Sequence, residues 1–250
     1  MSQTEMLIIV SCAFFAAAFV KGLVGFGLPP VSIGLLTAFI GLPNAMALII
    51  FPGIATNLWQ GLSGNHFREI IRRFWPFFLM TVLFTFPGTL VLSRLNVNYV
   101  TALLGVLLLA FVAVTFLNPK FRVKPRSEPI LNPVLGTISG LLSGMTGTFT
   151  VPGVIYFQSV GLPREQLVQL MGIMFTLSTV ALALALGGNR LLTVELAVMS
   201  AIAVIPTFVG LAAGTWLRRR TSEQGFRVIF LMALGVLGVY ILGRSLAVIL

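Results

Sequence analysis

A lysine set among glycines, and a few hydroxyl and amide side chains, are what this sequence offers to chemistry. In the stretch FVKGLVGFGLPPVS, residues 19 to 32, Lys21 interrupts an apolar run and is followed by Gly22, Gly25, Gly27, Pro29 and Pro30. A lysine inside a membrane span costs at least a few kcal/mol and marks a functional site. A second break, SGMTGTFTVP at 143 to 152, carries Thr146, Gly147, Thr148, Thr150 and Pro152. Proline suits the first position of a helix, so Pro30 and Pro152 are expected to open half-helices whose N-termini point at the breaks. Free N–H groups and the positive dipole end at such a terminus attract an anion, and two converging ends suit a small anion with more than one negative charge. For Lys21 the alternative is snorkelling to water, or pairing with the carbonyl end of a half-helix.

Hydroxyls and amides at mid-span would complete such a site. Thr56 and Asn57 lie past the centre of the apolar segment 43 to 61, and Thr176 lies at the centre of 164 to 187. Any single threonine could instead bond its own helix backbone. Other chemistry is excluded by composition. The chain has one cysteine, Cys12, one histidine, His66, and six glutamates with no aspartate. No disulfide, no Ser-His-Asp triad and no metal cluster can be assembled, so neither an enzyme nor a metal or other cofactor is expected. Glu5, Glu69, Glu128, Glu165 and Glu223 fall in tails or loops and Glu195 near the end of a span, so no acid stands ready to couple protons or sodium at mid-membrane.

The elements that must position these residues follow from hydropathy. With 58% hydrophobic and 9% charged residues, the chain reads as an all-α polytopic membrane protein. Its opening, MSQTE, lacks the basic start of a signal peptide and is expected to stay as structure. Apolar segments at 6 to 20 with 30 to 42, and at 133 to 146 with 152 to 160, are too short to cross a bilayer of about 30 Å and are read as two hairpins of broken half-helices. The halves repeat: Gly22, Gly25 and Pro30 align with Gly144, Gly147 and Pro152, Thr56 with Thr176, and Gly88 with Gly210. Each half is expected to hold one hairpin plus three transmembrane helices. Three crossings is odd, so the second copy is inverted, as in secondary transporters. The division is 1–117 for the first repeat, 118–132 for a basic cytoplasmic linker and 133–250 for the second repeat.

The net charge of +10 is assigned to orientation rather than to nucleic acid. With the loop 62 to 73 cytoplasmic, that side receives twelve basic residues and the other only Arg94, Arg190 and Arg244. Both termini are then periplasmic. The rows Gly136, Gly140, Gly144 and Gly210, Gly214 are read as close helix contacts, which suit internal packing or a homodimer alike.

The tips GLVGFG and SGMTGTF, the repeated GLP, and the pair FPGIAT and MGIMFT resemble the sulfite exporter TauE/SafE family of anion transporters, over about 10 to 245. The resemblance implies transport of a sulfur-containing anion, sulfite or an organosulfonate such as sulfoacetate, across a bacterial cell inner membrane. By position it marks Gly25, Phe26, Gly27, Pro52, Gly53 and Thr56 in the first half and Gly144, Gly147, Gly172 and Thr176 in the second. The expected substrate-binding residues are Lys21, Gly25, Phe26, Gly27, Gly53, Thr56, Asn57, Gly144, Thr146, Gly147, Thr148, Gly172 and Thr176. The expected function is export of the anion by alternating access around a midplane site, driven by the membrane potential. An anion channel of the same architecture, and a membrane scaffold that needs neither Lys21 nor broken helices, are the competing readings.

Overall fold

Lipid offers no partner to backbone N–H and C=O groups, so a chain this apolar must pair them within helices. The computed structural model describes residues 3–117, 122–220 and 223–249, and these are helical with no strand among them. The order is α1 (Gln3–Val24), α2 (Leu28–Ile40), α3 (Leu42–Leu48), α4 (Ile50–Leu62), α5 (Phe67–Arg94), α6 (Val97–Leu117), α7 (Glu128–Thr146), α8 (Ile155–Ser159), α9 (Arg164–Gly188), α10 (Val194–Ile202), α11 (Val204–Arg218) and α12 (Glu223–Ile249). Among the described residues six helical stretches are long and apolar enough to cross a membrane, or seven when the bent pair α3 and α4 counts as one span. Lys120 and the start of the expected linker, 118 to 121, lie outside the described residues.

The expected short segment 6 to 20 is instead a 22-residue helix, about 33 Å long and able to span. Lys21 and Gly22 do not end it. The break comes at Gly25 and Gly27, whose φ of 93° and 110° are left-handed and open to glycine at no steric cost. Pro30 is therefore the third residue of α2 rather than its first, still within the turn whose N–H groups have no helical partner. In the second break Gly147 takes φ 70°, Val151 is extended, and the returning helical run starts at Pro152. α7 starts at Glu128, inside the range read as linker. Glu128, expected in a loop, is 6% exposed and accepts from Arg73 at 2.8 and 2.7 Å.

Five glutamates open helices: Glu5, Glu69, Glu128, Glu165 and Glu195 occupy the first turns of α1, α5, α7, α9 and α10. There they face positive dipole ends, which places carboxylates at the ends of helices and away from their middles.

Glycine contacts set which helices lie together. On α7, a Cβ at Gly136, Gly140 or Gly144 would stand 2.5, 2.5 or 2.2 Å from the carbonyl oxygens of Phe77, Thr81 and Thr85 on α5. Positions rise together along both helices, so α5 and α7 run parallel. Gly210 and Gly214 of α11 meet the carbonyl oxygens of Phe15 and Phe19 of α1 in the same parallel sense. Such close backbone approach is what small residues supply in membranes. Thr81 and Thr89 add hydrogen bonds to the carbonyls of Gly136 and Gly144, both at 3.2 Å. α4 crosses α9 antiparallel, Gly61 against Gly172 and Gly53 against Thr179, and α6 pairs antiparallel with α12.

The bend of 45° between α3 and α4 has a local cause. Pro52 has no N–H for the carbonyl of Leu48, four residues earlier, so that oxygen is released. Ser200 of α10 takes it up: its hydroxyl donates to Leu48 O at 2.7 Å and accepts the N–H of Phe51 at 3.1 Å.

Candidate functional site

Three helix ends build a cavity of about 250 Å³ beside the first break. The end of α1 and the break after it supply Lys21, Gly22 and Gly25, α4 and its C-cap supply Thr56, Gln60 and Ser63, and α11 supplies Leu211, Thr215 and Arg218. Each of the latter two sets repeats at i, i+4, i+7, one stripe of a helix. Trp59 and Val168 complete the wall. The space equals about eight water volumes at roughly 30 Å³ each.

Lys21 is only 4% exposed. Its Nζ donates to Thr56 Oγ1 at 3.1 Å and to Asn57 Oδ1. An ammonium has three N–H groups, so one is left over. Thr56 gives its own hydroxyl proton to Pro52 O at 2.8 Å, which makes its oxygen an acceptor for Lys21. The Asn57 amide nitrogen is buried without a partner, and turning the amide over would set two donors face to face. Among the described residues no carboxylate stands within ion-pair distance of Lys21; Glu69 meets His66 and Glu128 meets Arg73. The group thus offers donors and one unbalanced positive charge. A buried charge is normally paired, and none of the described carboxylates pairs this one.

An outer space of about 690 Å³ leads to this cavity and shares Ser63, Val168 and Arg218 with it. Arg164, His66 and Gln169 line it, and among the described residues Glu165 is the one acid there. Gln169 fixes the rim by donating to Gly61 O and Gly64 O at 3.0 and 3.1 Å while accepting the N–H of His66 at 3.0 Å.

Lys21, Gly25 and Thr56 share the cavity, and Asn57 joins them through Lys21. The other sequence candidates are placed in contacts of their own. Phe26 packs edge-on against Phe111 of α6, and a Cβ at Gly27 would meet Phe230 of α12. Gly53, Gly144 and Gly172 sit in the helix crossings described above. At the second break Gly147 lies against Ile33 and Met46, and Thr146 bonds Leu142 O at 2.7 Å and Thr148 at 3.1 Å. Thr176 returns its hydroxyl to Gly172 O at 2.7 Å.

Sulfite exporter TauE/SafE is the family whose pattern matches residues 9–241, nearly the whole chain. The chain belongs to that family. No curated protein and no solved structure matches it. Membership makes it a multi-pass membrane transporter with a small anion as substrate. Cavity residues that sequence reading missed, Gln60, Ser63, Thr215 and Arg218, carried a usable signal in their i, i+4, i+7 spacing on α4 and α11.

Proposed function

We propose that the protein is a facilitator or exchanger for a sulfur-containing anion, sulfite or an organosulfonate such as sulfoacetate, and that Lys21 supplies the charge that holds it. The carrying observation is the buried ammonium with no carboxylate partner, one unused N–H and the unpartnered Asn57 amide beside it. The substrate oxyanion takes those donors and neutralises the lysine, and each hydrogen bond is charge-assisted. Arg218 and Arg164 at the entry draw it in from the side that carries most of the basic residues, read as the cytoplasm of a bacterium bounded by its inner membrane.

Export then follows the membrane potential, worth about 2.3 kcal/mol per charge per 100 mV. Among the described residues no acid near mid-span is at hand for proton coupling, since Glu5, Glu69, Glu128, Glu165 and Glu195 sit in the first turns of helices. Alternating access by two inverted repeats, 1–117 and 133–250 joined by 118–132, is supported by reciprocal packing: the helix before the first break lies on α11, and the helix before the second lies on α5.

Flux of labelled sulfite and sulfoacetate into proteoliposomes, with the potential clamped by potassium and valinomycin, tests this reading. Saturable entry that rises as the interior is made positive, and that is lost in Lys21→Ala, is expected. Entry that ignores the potential, or that survives Lys21→Ala at full rate, would overturn it.

A further inference from the structure

A second cavity, of about 200 Å³, lies at the far end of α2. The helix α2 has 13 residues and rises about 20 Å, with the Lys21 cavity near its start and this one around Thr37, Ala38 and Phe39 near its end. α5 confirms that the two are on opposite faces: His66 before it lines the outer space of the first, and Asn98 after it lines the second, with 28 helical residues between.

Its wall carries one guanidinium and several polar side chains. Arg244 of α12 reaches in and donates from Nη1 to Ala38 O at 2.6 Å, which caps α2 and uses one of five guanidinium N–H groups. Thr37 is 7% exposed, lines the cavity, and its hydroxyl oxygen has no partner, although a threonine on a helix normally returns that proton to its own backbone. Ser245, Asn98, Thr101 and Tyr240 add polar atoms to the wall, and among the described residues no acid lines it.

We infer that this cavity is a second binding site for a small oxyanion on the face opposite Lys21, with Arg244 supplying the charge and Thr37 a hydrogen bond. Its residues are independent of the Lys21 site, so either can exist without the other. An anion there would be captured or released at the far mouth of the protein.

The test is the number of labelled sulfate ions bound per chain at saturation by the full-length protein in detergent, sulfate serving as a stable oxyanion probe. Two are expected for the wild type, one for Lys21→Ala, one for Arg244→Ala and none for the double variant. Thr37→Val keeps both the shape and the α2 cap, and should weaken one of the two sites roughly tenfold, the loss of one hydrogen bond to a charged group. One ion in the wild type, removed by Lys21→Ala and untouched by Arg244→Ala and Thr37→Val, would overturn the second site. Two ions, of which Arg244→Ala removes one and Lys21→Ala none, would uphold it while removing the Lys21 site. No binding to the wild type overturns both.

Discussion

Lys21 donates to Thr56 Oγ1 across 3.1 Å inside the protein, and no carboxylate among the described residues stands near enough to balance its charge. A charge held this way lowers the stability of the protein relative to a well-packed apolar side chain of the same size.

Lys21→Met is therefore expected to raise the thermal midpoint of the anion-free protein, because a well-packed apolar side chain replaces an uncompensated ion. The same variant should lose the stabilisation that sulfite gives the wild type. Thermal unfolding in detergent with and without sulfite reads both effects, and a variant that keeps the sulfite shift would remove Lys21 from the site.

Asn57→Leu takes away an amide whose N–H groups are buried without a partner and whose oxygen accepts from Lys21. The apparent affinity for anion should fall about ten- to a hundredfold, one or two charge-assisted hydrogen bonds, as measured by the half-saturating concentration for transport.

Gly144→Ala and Gly214→Ala place a methyl 2.2 and 2.1 Å from the carbonyl oxygens of Thr85 and Phe19, which cannot move without parting the helices. Each should cost about 1–3 kcal/mol. Gly187, on α9, meets nothing within 4 Å, so Gly187→Ala should stabilise by about 0.5–1 kcal/mol. Opposite shifts of the thermal midpoint are the check.

Ser200→Ala leaves Leu48 O and Phe51 N without their shared partner at the bend. A loss of about 1–3 kcal/mol is expected. Combining it with Pro52→Ala should recover part of this, since the restored N–H can bond Leu48 O and straighten the helix.

How much of this the sequence disclosed depends on the range of the cause. The breaks at Gly25, Gly27 and Gly147 were legible because a left-handed backbone is written locally, in glycine itself. So was the close contact at Gly136, Gly140 and Gly144, from its small-xxx-small spacing, although the partner α5 was not. The length of α1 was misjudged because Lys21 looked like an interruption. A lysine keeps good helix propensity, and only its charge is foreign to the span. Glu128 looked like a loop acid because its partner Arg73 is 55 positions away and invisible to local reading. The cavity wall hid for the same reason, since α4 and α11 meet beside α1 only through tertiary packing.

The parallel contact of α1 with α11 has a consequence for biogenesis. Phe15 and Phe19 lie against Gly210 and Gly214, nearly two hundred residues later in the chain. During synthesis α1 enters the membrane long before its partner exists, and closing so long a loop is slow. Until α11 emerges, α1 has only lipid or other helices to cover the face it will give to the two glycines. A nascent chain stopped short of α11 would present that unfinished face to quality control, even though Lys21, Thr56 and Asn57 had all been made.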